Sequence, residues 1–529
     1  MSKRALSLLL IAAILLSCAA CADLEVPDPE AAPPEETGAA TIAPISSLDD
    51  RFTVRYDPAA TFNPITGTSA DNMALTPLLY EGLFVVNGRF EAEPVLCETY
   101  SVSEDLKTYT FTLKEGVLFS DGSALTARDV KYTLEQAKAA GRFAGRLGNI
   151  SSVSAPDDHT VVITLQSPHS RLPVLLDVPV IKSGAIAASC PPGTGPYALD
   201  TSGDAPRLVR SPHYRYGDVA PVDVVYLASC TDRELPLRFI AQDIDFFWSD
   251  PGGSEEIRLG YDHDAWYYNT SILQYVGFNM RTEILKDASF RRAVSLAVDR
   301  EAIVREVYQS CALAAPLVLS PKHPLYDAGW VTPVKDVLEE ISRIFAALGL
   351  EDRNSDGFLE YPQSSSGLPF TLTLVVHDQP YKVAAAEKIT NALMSIGIHT
   401  ELRKLPWEEY LTALKRGEFD LYLADAALPP DFDLSALLAP GGALDYGKAG
   451  EEAYALRIQA FLSARGEMGE ALAARQLCAA VEQNVPIIPV LYRQYAVHTN
   501  RNVVRGVQPT QSSVFYNLKN WKISLGPAG

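Results

Sequence analysis

ILQYVGFNMRTEILKDASFRRAVSLAVDR, residues 272–300, is the stretch on which the reading of the chain turns. Its first part, Leu273 to Met280, is apolar and aromatic, with polar Gln274 and Asn279 set in it. It reads as a strand buried on both faces or nearly so. Asp287 is placed to N-cap a helix, its carboxylate accepting from an amide that has no partner within the helix. Phe290, Val294, Ala297 and Val298 recur at helical spacing, and Arg291, Arg292 and Arg300 fall on the other side. One strand therefore leads through a short turn into one amphipathic helix near the middle of the chain.

Working outward, residues 100–130 hold a second ordered pattern. Val102, Tyr109, Phe111 and Leu113 sit at strand positions, Asp121-Gly122 is a turn signal, and Thr126 with Asp129 makes a capping-box-like pair. Tyr109-Thr110-Phe111, Phe119-Ser120-Asp121-Gly122 and Thr126-Ala127-Arg128-Asp129-Val130 together resemble the family 5 extracellular solute-binding proteins. These are the oligopeptide- and dipeptide-binding receptors of bacterial ABC importers. The stretch 272–300 is similar to the point where that family leaves its first lobe and builds its second. Tyr80-Glu81-Gly82-Leu83, Gly193-Thr194-Gly195-Pro196-Tyr197 and Asp243-Ile244-Asp245-Phe246 resemble further family elements. The resemblance implies an α/β, two-lobed periplasmic-binding-protein-like (type II) fold with an extra α+β domain inserted in the first lobe. It places the first lobe at 49–80, 186–272 and 490–529, the extra domain at 81–185 and the second lobe at 273–489.

The 529 residues provide for several domains, and a hydrophobic fraction of 47% is ordinary for a globular chain. A formal net charge of −20 argues against a nucleic-acid partner. The 24 tyrosines suit a ligand cleft or any interface. Lys3 and Arg4, the apolar run Ala5 to Leu16 and the small residues after it read as an export signal, residues 1–21. The signal resembles that of a bacterial lipoprotein, lipidated on Cys21 or Cys18. Residues 22–48 are rich in Pro, Glu, Ala and Thr and read as a disordered tether. The implied location is the outer face of the cytoplasmic membrane, lipid-anchored, or the periplasm. Five further cysteines, Cys97, Cys190, Cys230, Cys311 and Cys478, show no CxxC spacing, and an odd number leaves at least one unpaired.

The remaining elements are read locally. Phe52 to Tyr56 alternates as a strand, and Leu75 to Phe84 is helix-like, ending at Gly82. Gly193 to Ala198 fits G-x-G-x-x-A on paper, but prolines precede it and a strand follows, so no dinucleotide site is assigned. Val334 to Leu348 is an amphipathic helix with Val337, Ile341, Ile344, Phe345 and Leu348 on one face. The loop Asp352-Arg353-Asn354-Ser355-Asp356-Gly357 looks like the start of a calcium loop. The EF-hand form wants a Glu at position 12, where Gln363 stands, and Asp, Asn and Gly also simply favour turns. No metal and no cofactor is assigned, and Asp352, Asn354 and Asp356 are the weak candidate. Phe370 to Val376, Ala384 to Ile396 and Ile398 to Leu405 read as strand, helix and strand, which argues for a parallel or mixed sheet.

FDLYLAD, residues 419–425, is an apolar strand running into a carboxylate. Carboxyl ends of strands in an open α/β sheet face a cleft. The resemblance implies that Asp425 receives a peptide's α-amino group, that Tyr422 and Trp407 line the cleft, and that Asn279 is a further contact. Leu428-Pro429-Pro430-Asp431 departs from the acidic-Pro pattern usual in dipeptide receptors. Val485 to Tyr492 reads as a strand returning to the first lobe, so crossings near Tyr275 and Pro489 make a hinge. The function implied is a non-enzymatic, monomeric substrate-binding lipoprotein that closes on a peptide-like solute and delivers it to ABC permease subunits. Two alternatives stand beside it. One is a sensory or regulatory peptide-binding lipoprotein. The other is an exported hydrolase, which lacks a G-x-S-x-G elbow or an H-E-x-x-H motif. Nickel, haem and sugar ligands also occur on this fold.

Overall fold

A computed structural model describes residues 49–139, 141–217, 219–252, 259, 262–361 and 369–526. The export signal, Cys18, Cys21, the tether and Gln363 lie outside the described residues. An 11-stranded sheet runs through both halves of the described chain. At its centre lie two long antiparallel strands, His263–Phe278 and Ile487–Asn500. Both are longer than their sequence reading, because each continues from one half into the other.

On one side the sheet continues through Leu421–Ala427, Thr371–His377 and His399–Leu405. The last two are parallel, joined over helix Pro380–Ser395, as the strand-helix-strand reading expects. On the other side it continues through Phe246–Ser249, Phe52–Arg55, Val224–Ala228, Arg207–Arg210 and Tyr197–Asp200. A separate four-stranded antiparallel sheet contains Cys97–Val102, Thr108–Leu113, Ile150–Ser154 and Thr160–Leu165. Helix Ala127–Ala139 packs on it, started by Thr126, whose N–H and Oγ1 both donate to Asp129 Oδ2 at 2.8 Å.

The ladder between the two long strands is regular from His263↔Asn500 to Asn269↔Gln494 and resumes at Leu273↔Tyr492. Thr270, Ser271 and Ile272 thus stand against Arg493 alone, a bulge that bends and loosens the pairing. Thr270 Oγ1 donates to Arg493 O at 2.7 Å. Ser271 N–H donates to Gln511 Oε1 at 2.6 Å, and Ser271 Oγ donates to Leu428 O at 2.5 Å. Side chains here replace ladder bonds, so the backbone stays satisfied at a place where it departs from regular pairing. Tyr275 and Pro489 are direct ladder partners, and a second register shift falls immediately before them, since Gln274 pairs with Leu491.

Asp287 caps helix Ala288–Ala297, accepting from Ser289 N at 2.7 Å and Phe290 N at 3.2 Å. Phe290, Val294 and Val298 are buried as the spacing predicts. Arg291 corrects the reading of a polar outer face. It is buried, and its guanidinium donates to the carbonyls of Val485, Leu285 and Lys286, which the preceding turn and the returning chain leave unpaired. Arg300 donates likewise to Pro489 O at 2.7 Å, and burial pushes its pKa down to about 10. Two further corrections concern element ends. The helix read over Leu75 to Phe84 is Ala70–Leu79, and Phe84 opens the strand Phe84–Val86. Val337 opens helix Val337–Ala347 and is exposed, because it belongs to the first turn beside the Asp336 cap.

Gly193 and Gly195 show what the glycine run does. A Cβ on Gly195 would sit 2.5 Å from the Leu79 carbonyl carbon, and one on Gly193 2.1 Å from Leu79 O. The run lets two backbones touch where helix Ala70–Leu79 ends. All five cysteines of the described chain are free. At the ends of the described chain, Gly526 N–H donates to Asp49 O at 2.7 Å.

Candidate functional site

A cavity of about 1290 Å³ opens where the extra sheet, the first half and the second half meet. That exceeds the roughly 300–1,000 Å³ of ordinary small-molecule pockets. Aromatic residues Trp248, Tyr268, Tyr495 and Tyr516 give it surface with polar edges.

Most of its charge is paired. Glu81 accepts from Arg215, with Nη2 to Oε1 at 2.9 Å, and from Thr194 Oγ1 at 3.0 Å. The Tyr80-Glu81-Gly82-Leu83 and Gly193-Thr194-Gly195 elements therefore meet in one wall. Arg146 pairs with Asp177, whose Oδ2 also accepts from Ser512 Oγ at 2.7 Å. His169 Nε2 lies 2.9 Å from Asp431 Oδ2, and both residues are buried. His169 Nδ1 accepts from Arg171 N–H at 3.1 Å, so the ring proton sits on Nε2 and is donated to Asp431.

Four lining residues, Glu93, Arg142, Asp433 and Lys519, have no ion pair among the described residues. Arg142 is exposed and makes a cation–π contact with Phe143, and no carboxylate pairs with it among the described residues. Asp433 accepts from Ser435 N–H at 2.8 Å. Burial and the neighbouring Asp431 charge raise its pKa.

The four residues proposed from the sequence separate into two groups. Asp425 and Trp407 share a neighbourhood at the carboxyl ends of Leu421–Ala427 and Thr371–His377. Trp407 is 49% exposed, stacks on Tyr410 and tilts over His377 with centroids 5.1 Å apart. Burial and Lys382 lower the His377 pKa. Asp425 accepts from Gln274 Nε2 at 3.1 Å, Lys382 Nζ at 3.1 Å and Arg493 Nη1 at 3.3 Å. Tyr422 and Asn279 lie elsewhere, in the core. The Tyr422 ring packs on Gly277, where a Cβ would fall 2.1 Å from its Cζ. Asn279 Nδ2 donates to Phe419 O at 2.7 Å and Gly417 O at 3.2 Å, holding the turn before strand Leu421–Ala427. None of the four lines the large cavity.

Arg493 is the residue the sequence reading passed over. It stands at the bulge and pairs with Asp250 from the first half and Asp425 from the second. Burial alone would depress its guanidinium, but the two carboxylates overcome this and raise its pKa. A strand arginine gives no sign in sequence of which carboxylates it will meet. The same holds for His169 and Asp431, which are 262 residues apart.

Two α/β halves, joined by a pair of crossing strands and holding a cavity at their junction, define a two-lobed solute-binding receptor. The family model of bacterial extracellular solute-binding proteins, family 5 Middle, matches residues 91–443, and the chain belongs to that family. Dipeptide-binding protein DppE of Bacillus subtilis is 25% identical over 502 residues, 85% of this chain and 87% of that protein. A protein of Brucella ovis named for peptide binding in an ABC transporter is 29% identical over 279 residues, 49% of this chain and 52% of its own. The chain thus spans about half the length of that relative. Among solved structures, HbpA2 from Haemophilus parasuis superposes with a TM-score of 0.75 at 20% identity, covering 90% of this chain and 100% of that one. Oligopeptide-binding AppA from Bacillus subtilis, with a nonapeptide, superposes with a TM-score of 0.65 at 20% identity, covering 89% and 98%. Both structures share the fold. No helix among the described residues is long and apolar enough to cross a membrane.

Proposed function

We propose that the protein is the extracytoplasmic receptor of an ABC importer. It captures a peptide-like solute in the cavity between its lobes and delivers it to membrane permease subunits. It carries out no chemistry on the solute. The observation that carries the reading is the cavity itself, large enough for a peptide and set near a bulge in the ladder between the two crossing strands. A ligand touching both lobes favours the closed form by its differential affinity, and by no more than that.

Asp433 is a carboxylate available to a ligand's ammonium group, and Arg142 a cation available to its carboxylate, since Glu81, Arg215, Arg146, Asp177 and Asp431 are paired within the wall. Asp425 acts at the hinge, through Arg493, and Trp407 offers an exposed aromatic surface at the neighbouring strand ends. The protein acts as a monomer, and lipidation of Cys21 or Cys18 anchors it at the outer face of the membrane.

Native mass spectrometry of purified protein tests this first. The expected result is a released ligand of peptide mass. Calorimetry with that ligand then compares Asp433→Asn with the parent chain. A charge-assisted bond contributes roughly 1.5–3 kcal/mol, so affinity should fall about 10- to 100-fold. Absence of any bound solute, together with no heat from mixed di- to nonapeptides, would end the peptide reading.

A further inference from the structure

The loop between helix Val337–Ala347 and strand Thr371–His377 holds a cluster of carboxylates away from the cavity. Carboxylate oxygens of Asp352, Asp356 and Glu360 all lie within 4.8 Å of one another. Two oxygens bound to one calcium ion at roughly 2.3–2.6 Å are at most about 5 Å apart, so the spacing is that of a shared ion. Asp352 and Asp356 are exposed, but Glu360 is 1% exposed.

Glu360 is the observation that singles the loop out. Its Oε2 accepts from Arg353 N–H at 2.8 Å, while its buried Oε1 has no hydrogen-bond partner. Arg353, the nearest cation in sequence, pairs its side chain with Glu351 instead. Among the described residues no Lys or Arg pairs with Asp352, Asp356 or Glu360. A buried carboxylate with an unpartnered oxygen beside two further carboxylates is costly unless a cation joins them. The backbone holds Glu360 in place: its N–H donates to Glu351 O at 3.0 Å, and Leu359 N–H donates to Gly397 O at 2.8 Å.

The positions also alternate correctly. Counting Asp352 as one, Asn354 is three, Asp356 five, Gly357 six, Phe358 seven and Glu360 nine. Gly357 has φ +93°, a conformation that L side chains rarely adopt, at the position where calcium loops turn sharply. We propose that Asp352, Asn354, Asp356 and Glu360, with the Phe358 carbonyl, bind one calcium ion. Glu360 supplies from position nine the carboxylate that this loop lacks at position twelve. The donors are all oxygen, which suits calcium over thiolate- or imidazole-seeking metals. The site ties the loop to the edge strand of the second lobe and has no part in the cavity, so it stabilises that lobe without contacting the solute.

The test uses the full chain, stripped with a chelator, in calorimetry and thermal melts with CaCl₂ at up to about 5 mM, the range of weak extracellular sites. One bound calcium per chain and a raised Tm are expected. MgCl₂ at the same concentration should give a smaller shift. Glu360→Gln should abolish both effects. If that variant does not fold, the exposed double variant Asp352→Asn/Asp356→Asn must abolish them. No heat and no shift with the parent chain, or an undiminished shift in the double variant, would overturn the assignment.

Discussion

His169→Ala removes a single ring between the two halves, and its effect can be worked from the geometry. The His169 Nε2–H to Asp431 Oδ2 bond is 2.9 Å long, and the two residues are 4% and 2% exposed. With the ring gone, the bond from Asp433 N–H to Asp431 Oδ1, at 3.1 Å, remains. A buried hydrogen bond to a charged group is worth about 2 kcal/mol. When the halves separate, water solvates both partners, so the loss falls on the closed arrangement alone. The ratio of closed to open forms should therefore drop about 30-fold.

The neighbouring contacts supply a reporter. Ser170 N–H donates across the same junction to Leu462 O at 2.8 Å, and Phe90 meets Phe432 edge-on with centroids 4.9 Å apart. Hydrogen exchange at the Ser170 amide should accelerate by about the same 30-fold in the ligand-free variant. Ligand affinity should weaken by no more than that factor. Asp431→Asn keeps an acceptor for Nε2–H and should cost about half as much in free energy. If Ser170 exchange in His169→Ala stays within about twofold of the parent chain, the junction is not a latch and the reasoning fails.

Two other outcomes follow from buried charge. Arg493→Met leaves Asp250 and Asp425 without their common cation and should lower stability to urea by about 3 kcal/mol. Lys382→Met should lose less, because Arg493 still reaches Asp425; equal losses would contradict the bridging role. Asp245 is fully buried, accepts from Thr53 N–H at 2.8 Å, and has its pKa pushed up to about 7 by burial. The folded chain holds that proton while the unfolded chain, near pH 4, gives it up. Its contribution to stability is therefore lost as pH rises from about 4 to about 7, by at most about 1.4 kcal/mol per pH unit. In urea melts, Asp245→Asn should flatten that slope and gain most over the parent chain near pH 8.

The outline of the fold was open to reading in the sequence because it rests on local signals. Asp287 and the Thr126/Asp129 pair start helices where they stand, and residues 272–300 give a strand, a turn and a helix through periodicity alone. The end of the helix before Tyr80 was misplaced because Leu75 to Phe84 is apolar throughout, and only the meeting with Gly193 and Gly195 fixes where it stops. The cleft was hardest to read. Its walls are built from pairs such as Arg146 with Asp177 and Glu81 with Arg215, whose members are distant in the chain. Arg291 and Arg300 were placed outside because charge argues for solvent. They lie inside because each meets several backbone carbonyls that need donors. Asp425 was read at the end of a strand that in fact runs on to Ala427, and the arginine that claims it comes from a strand read only for its prolines.

The hydrogen bond from Gly526 to Asp49 has a practical corollary. A short linker could join these two positions, and the chain could be reopened at an exposed loop of either lobe. Such a permuted chain would keep both crossing strands intact. A fluorescent reporter inserted at the new break would then register lobe closure directly, turning the receptor into an optical gauge of its own solute.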